Sequence, residues 1–220
     1  MQDQHAELEW RDSGVPVSTR FDDPYFSLDN GLAETRHVFL DGNDLPARFR
    51  DGFHIAELGF GTGLNFLTAW AAWRDAGVAG RFRFTSFEAY PMDTDAKARA
   101  LAAFPEVAGL AAPFLAAGGG SATFEDAELT VIHGDAREAL PGWPGRADAW
   151  FLDGFSPAKN PELWGADLMA AVAAHTVPAG TAATYTAAGF VRRGLADAGF
   201  TVTRAPGFGR KRHMTRAVLR

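Results

Sequence analysis

His54-Ile55-Ala56-Glu57-Leu58-Gly59-Phe60-Gly61-Thr62-Gly63-Leu64-Asn65-Phe66-Leu67 joins a short apolar run, a cluster of alternating glycines and the start of a stretch with apolar residues at helical spacing. The reading is strand, loop, helix. The glycines let the backbone turn tightly and approach a ligand without interference from a Cβ, and the helix start behind them offers free N–H groups. A dinucleotide fingerprint needs Gly-x-Gly-x-x-Gly, but Leu64 stands where its last glycine belongs. The spacing is Gly59-x-Gly61-x-Gly63, which favours S-adenosylmethionine. No Gly-Lys-Ser/Thr follows, so a Walker phosphate loop is excluded. Taken alone, such a loop is equally compatible with an ordinary turn.

Downstream the same alternation repeats. Residues 82–87 read as a strand ending in Glu88, 93–104 as a helix, 129–133 as a strand ending in Gly134-Asp135, and 149–152 as a strand ending in Asp153-Gly154. Residues 166–175 read as a helix, 181–186 as a fifth strand, and 190–198 as a helix closed by Gly199. The last two strands, 200–204 and 214–219, have no helix between them and so form an antiparallel hairpin. Right-handed crossovers then give a mostly parallel sheet covered on both faces. The expected fold is α/β: a Rossmann-like, seven-stranded mostly parallel sheet with a C-terminal antiparallel hairpin, as in class I S-adenosylmethionine-dependent methyltransferases. Residues 54–220 make that domain. Residues 1–53 hold turn residues and aromatic patches without sustained periodicity, and read as a small irregular N-terminal lobe. Ala116-Ala117-Gly118-Gly119-Gly120-Ser121 reads as a flexible surface linker.

A chain of 220 residues with 47% hydrophobic content can bury one sizeable core. No run of about 18 uncharged apolar residues is present and residues 1–12 alternate charges, so the expectation is a soluble, cytoplasmic protein without membrane partners. Zero cysteines exclude a disulfide framework, a thiol nucleophile and a cysteine-ligated metal. The six histidines are scattered without paired ligand spacing, so no metal is expected. Net charge is -6, but from Phe190 to Arg220 eight Lys/Arg face Asp197 alone, a local charge of +7. That tail is either a solvated face or an anion-binding surface.

Doubly wound sheets bind ligands at the carboxyl ends of their strands. Glu57, Glu88, Asp135 and Asp153 all stand at such ends. Glu88 suits the two hydroxyls of a ribose and Asp135 the amino group of an adenine, although either acid alone also suits a helix N-cap or a solvated loop. Asp153-Gly154-Phe155-Ser156-Pro157-Ala158-Lys159-Asn160-Pro161 makes a stiff loop where a methyl group would be transferred, with Asp153 to orient an amine or take its proton and Phe155 to pack over it. The bland alternative is a proline-rich turn. Tyr185 is either a helper or a core residue.

Phe26-Ser27-Leu28-Asp29-Asn30-Gly31-Leu32-Ala33-Glu34-Thr35-Arg36, the Leu58 to Leu67 loop, the Asp153 to Trp164 stretch, Ala188-Gly189-Phe190-Val191-Arg192-Arg193-Gly194-Leu195 and Gly207-Phe208-Gly209-Arg210-Lys211-Arg212 together carry a resemblance. The chain resembles the methyltransferase module of the MnmC tRNA 5-methylaminomethyl-2-thiouridine biosynthesis family and its stand-alone relatives. The resemblance implies transfer of a methyl group from S-adenosylmethionine to the exocyclic amine of 5-aminomethyl-2-thiouridine at the tRNA wobble position. It implies a cofactor site at Glu57, Gly59, Phe60, Gly61, Gly63, Asn65, Glu88, Asp135 and Asp153, catalysis by Asp153 and Phe155, and contact with the tRNA anticodon region through Arg192, Arg193, Arg210, Lys211 and Arg212. The bifunctional proteins continue into a flavin-dependent oxidoreductase module, so no flavin is expected here and the aminomethyl uridine must come from another enzyme. An N-methyltransferase acting on a small amine or a protein, and a tRNA-binding protein without catalysis, remain the alternatives.

Overall fold

The computed structural model describes residues 5–27 and 30–220. Of the expected N-terminal lobe, residues 1–4 and Leu28 and Asp29 lie outside the described residues. Strands β1 (Leu8–Trp10), β2 (Pro16–Ser18) and β3 (Asp23–Pro24) form a small antiparallel sheet. Helix α1 (Gly31–Thr35) follows, with the Asn30 side chain accepting the Ala33 N–H at 2.9 Å, and continues into a wide turn over Arg36–Leu40 and a tight one over Asp41–Asn43. Then come β4 (His54–Leu58), α2 (Leu64–Ala76), β5 (Phe82–Glu88), α3 (Thr94–Leu101), α4 (Ala108–Ala116), β6 (Ala122–Thr123), β7 (Ala127–His133) and α5 (Ala136–Ala139). The chain ends with β8 (Ala147–Leu152), α6 (Ala166–Ala174), β9 (Thr176–Thr184), α7 (Gly189–Asp197), β10 (Phe200–Pro206) and β11 (His213–Leu219).

The large sheet has the order β10-β11-β9-β8-β4-β5-β7-β6. Strands β7, β5, β4, β8 and β9 are parallel, and β11 runs antiparallel to both β9 and β10, so the expected hairpin lies on the sheet edge. The seven expected strands are all present. An eighth, β6, adds two antiparallel residues beside β7, too few to leave a periodic signal.

The central strands β4 and β8 are buried along their whole length, as sheet covered on both faces requires. Successive residues of β8 enter opposite cores: Ala149 and Phe151 join one cluster, Trp150 and Leu152 the other. Helices α5, α6 and α7 cover the Trp150 side, while α2 and α4 cover the Phe151 side together with Leu32, Val38, Phe39, Leu40, Leu45, Phe49 and Phe53. Phe39 stacks on Phe151 with ring centres 5.2 Å apart. Asn43, fully buried, donates to the Phe39 and Trp150 carbonyls and accepts the Thr181 hydroxyl at 2.6 Å.

Three local expectations change. The N-terminal region is not irregular: tight turns and five-residue helical pieces put its apolar residues against the sheet without a repeat long enough to read. Helix α4 was hidden by Gly109 and Pro113, both poor helix formers that tertiary packing overrides. The expected flexible linker is a bonded turn: the Gly118 and Gly119 N–H groups close α4 onto Leu115 and Phe114, and their carbonyls accept from Thr94 Oγ1 and Lys97 Nζ at 2.9 and 2.6 Å. Both glycines have positive φ, which permits that reversal. Among the described residues no single helix is long and apolar enough to cross a membrane.

Gly42 seats the N-terminal segment on the sheet, because a Cβ there would stand 2.7 Å from the Ala183 Cβ and 3.0 Å from the Met214 Cε. Gly42→Ala is therefore expected to destabilise the whole fold by about 1–3 kcal/mol through overpacking. In urea unfolding this appears as one transition at a lower midpoint. An unchanged midpoint would mean that the segment does not fold with the sheet.

Candidate active site

A cavity of about 620 Å³ opens where β4, β5, β7 and β8 end. Its floor is the loop after β4, in which Gly59, Gly61 and Gly63 all have positive φ, at 88°, 52° and 83°. Each glycine answers to a different neighbour. A Cβ at Gly59 would lie 2.9 Å from the Asp153 carbonyl, one at Gly61 would lie 3.0 Å from the Tyr25 ring, and one at Gly63 would lie 2.9 Å from Phe114. The Gly61 position opens on the cavity beside Tyr25; Gly59, also in the wall, lets the loop meet the end of β8, and Gly63 packs toward the core where α2 begins.

The acids at the strand ends are tied to one another. Glu57 is fully buried, and its carboxylate accepts Asn65 Nδ2 at 2.8 Å and the Ser86 hydroxyl at 2.7 Å. The same Asn65 Nδ2 donates to Asp153 Oδ2 at 2.8 Å, and Asn65 Oδ1 accepts the Thr35 hydroxyl at 2.9 Å. One amide therefore holds Glu57, Asp153 and α1 in register. Burial pushes the Glu57 carboxyl well above the ordinary carboxylate range, with the Ser86 and Asn65 hydrogen bonds opposing it. Burial also pushes Asp153 up to about 6, against hydrogen bonds from Asn65 and the Gly154 N–H.

Glu88 closes the loop from the β5 side, its two oxygens accepting the Gly61 N–H at 2.9 Å and the Tyr90 N–H at 2.7 Å. Burial raises its pKa despite those bonds. Asp135 caps α5 through the Arg137 N–H and holds the Arg137 guanidinium, whose charge-assisted hydrogen bonds keep its carboxyl below the ordinary range.

The structure brings Gly59, Phe60, Gly61, Asn65, Glu88, Asp135, Asp153 and Phe155 into the cavity wall. Glu57 and Gly63 are not part of it: Glu57 lies beneath Asn65, and Gly63 turns toward Phe114. Of the five basic residues singled out in the tail, Arg210 and Lys211 reach the cavity, on the β10–β11 turn. Arg192, Arg193 and Arg212 do not, and Arg192 donates to the Ala187 carbonyl at the start of α7.

Sequence reasoning missed the opposite wall, which the N-terminal segment builds. Phe21 stacks on Phe155 with ring centres 4.7 Å apart, and Tyr25 meets Phe155 edge-on at 5.1 Å. Asp23 Oδ2 accepts the Ser156 N–H at 2.7 Å, and Lys159 pairs with Asp22, clamping this segment onto the Asp153–Pro161 loop. Trp164 Nε1 donates to the Phe155 carbonyl at 3.0 Å and the Tyr185 hydroxyl to the Gly154 carbonyl at 2.7 Å. Tyr185 is thus a wall residue that fixes the loop, and Glu34 lines the cavity beside it. The only signal for Glu34 was its place in the resembling Phe26 to Arg36 segment.

This strand order, with a glycine loop after the first parallel strand and acids at the next ends, defines a class I S-adenosylmethionine-dependent methyltransferase. Residues 111–220 match a family described as S-adenosyl-L-methionine-dependent methyltransferase, and the chain belongs to it. The chain is similar to the tRNA 5-methylaminomethyl-2-thiouridine biosynthesis bifunctional protein MnmC of Pseudomonas aeruginosa, at 48% identity over 225 residues, covering 96% of this chain and 34% of that protein. The protein of the same description from a Caulobacter species is 49% identical, with 96% and 38% covered. The chain thus spans about a third of the length of these relatives. The crystal structure of MnmC2 from Aquifex aeolicus superposes with a TM-score of 0.81 at 27% identity, covering 100% of this chain and 72% of that one. Among the described residues, no group of three or more His, Asp or Glu is arranged to hold a metal ion.

Asn65→Leu removes the donor shared by Glu57 and Asp153. It is expected to cost about 2–4 kcal/mol of stability and to raise the Asp153 pKa above about 6. Carboxyl carbon NMR titration reads the second effect; an unmoved Asp153 titration would show that Asn65 does not set its charge.

Proposed function

We propose that the chain methylates the exocyclic amine of 5-aminomethyl-2-thiouridine at the tRNA wobble position, using S-adenosylmethionine. The carrying observation is that Arg210 and Lys211 line the same cavity as Asp153 and Gly61. A basic turn thus meets the transfer site, which suits a polyanionic substrate better than a small amine. The 48–49% identical relatives, tRNA 5-methylaminomethyl-2-thiouridine biosynthesis proteins, support the same substrate. On this reading the chain works in the cytoplasm on the tRNA anticodon region, after a separate reaction has made the aminomethyl group.

The residues fit the cofactor. Gly61 keeps open the space that a Cβ would fill beside Tyr25. Each Glu88 oxygen already accepts one N–H and keeps a lone pair for a ribose hydroxyl, and Asp135 keeps acceptor capacity for an adenine amino group. Asn65 faces the cavity while Glu57 holds it from below. S-adenosylmethionine, when bound, supplies a methyl group activated by a positively charged sulfur.

The chain's own part is to position the amine and to keep its lone pair free. An alkyl ammonium with pKa near ~10 is mostly protonated at neutral pH. Asp153, ionised above about pH 6, takes one proton from the bound ammonium and so frees and aims the nitrogen lone pair; the methylated nitrogen then leaves as its own ammonium, and Asp153 passes its proton to water. Phe155, stacked on Phe21 and met edge-on by Tyr25, walls off water.

Because the Asp153 pKa is raised, its working form is lost as pH falls through about 6. The single-turnover rate is expected to fall about tenfold per pH unit below that point. Asp153→Asn should cost about 10²-fold or more in rate, with tRNA binding kept. A near-normal rate in that variant would remove Asp153 from the reaction. Arg210 and Arg212 are both exposed. Replacing both by Ala should weaken tRNA binding and flatten the log–log salt slope by about 1.5 units, at roughly 0.7–0.9 per phosphate contact. An unchanged slope would favour a small amine or a protein as the acceptor.

A further inference from the structure

Lys211 does not share the solvent-facing role of its two arginine neighbours. Its ammonium donates to Glu34 Oε1 at 2.7 Å and stands 4.2 Å from the centre of the Tyr185 ring. The Glu34 side chain is only 14% exposed, and all three residues line the cavity with Asp153. A carboxylate beside an aromatic face is the chemistry that recognises an alkyl ammonium, by a charge-assisted hydrogen bond and a cation–π contact.

This seat is built rather than incidental. Glu34 sits on α1, capped by Asn30, and its neighbour Thr35 donates to Asn65, which donates to Asp153. Tyr185 is fixed from the other side by its hydrogen bond to the Gly154 carbonyl, one residue past Asp153. Two short chains of hydrogen bonds therefore hold the carboxylate and the ring in register with Asp153. Lys211 lies on the exposed turn between β10 and β11, flanked by the arginines assigned above to phosphate.

We infer that Glu34 and Tyr185 form the seat of the acceptor ammonium, and that the Lys211 ammonium fills it as an internal surrogate until RNA phosphate draws it away. This rests on the function proposed above. Glu34 then takes the incoming aminomethyl group as its ammonium, and Asp153 receives a proton from it when the lone pair is needed. The Lys211 side of the pair is about half-exposed on its turn, so an RNA phosphate can reach the ammonium from solvent and exchange for Glu34. A free nucleoside brings no phosphate. It must compete with an ammonium tethered to the protein at high effective concentration. The seat thus selects for an amine presented on RNA.

The test measures equilibrium binding of free 5-aminomethyl-2-thiouridine, with S-adenosylhomocysteine saturating, beside methylation of tRNA that lacks the final methyl. Lys211→Met should bind the nucleoside about tenfold more tightly than the wild type and bind tRNA more weakly, so the two effects have opposite sign. Lys211→Arg should restore the weak nucleoside binding, and Glu34→Gln in the Lys211→Met background should abolish the gain, with S-adenosylmethionine affinity unchanged throughout. Nucleoside binding that is unchanged, weakened or undetectable in Lys211→Met overturns the inference. A wild-type chain that fails to methylate the tRNA overturns the functional reading itself, and the inference with it; normal tRNA methylation without the nucleoside effect sinks the inference alone.

Discussion

Two carboxyl groups at adjacent strand ends, Glu57 and Asp153, share the amide nitrogen of Asn65. Burial disfavours the charged form of both, most strongly at Glu57. Glu57 is sealed under the loop and strongly biased toward its neutral form, while Asp153 at the cavity wall titrates near 6 and is ionised at neutral pH. The amide stands at the first turn of α2, so the glycine loop that starts that helix also sets the distance between the two acids. The remaining parts of the site are arranged around this arrangement: Thr35 ties α1 to it, Ser86 ties β5 to it, and the Gly154 N–H fixes the far oxygen of Asp153.

The N-terminal segment is half of the site. Its aromatic rings at Phe21 and Tyr25 cover Phe155, its acids Asp22 and Asp23 hold the Asp153–Pro161 loop, and its short helix delivers Glu34. Aromatic pairs of this kind contribute about 0.5–1.5 kcal/mol each beyond the area they bury, enough to hold a wall in place while leaving its opening cheap. The segment beyond it, from Leu32 to Phe53, is core in the full sense and closes the sheet face over β9 and β11.

The charge of the chain is likewise divided by position. Four of its acids, Glu57, Glu88, Asp135 and Asp153, stand at the ends of neighbouring parallel strands. Five cations of the tail divide by position: Arg210 and Lys211 sit at the cavity, while Arg212, Arg192 and Arg193 lie outside its wall. Net charge over a run of thirty residues reports a tendency toward anions. Only the turn between β10 and β11 converts it into a location.

The order of strands and helices was legible in the sequence because buried parallel strands are continuous apolar runs and surface helices repeat every 3.6 residues. Both signals are local, and the acids at the ends of those strands could be named for the same reason. Tertiary structure alone decided which of those residues face the cavity. Glu57 and Asp153 look alike in sequence, each an acid within two residues of a glycine at a strand end, yet one lies beneath the amide and the other beside the cavity. Phe21, Tyr25 and Glu34 carry no period, since they stand on turns and a five-residue helix whose places are set by contacts with Phe155 and Lys211, more than a hundred positions away. Packing across such distances leaves no trace in a local pattern, because the restraint is the shape of the partner surface and not the spacing of the residues that meet it.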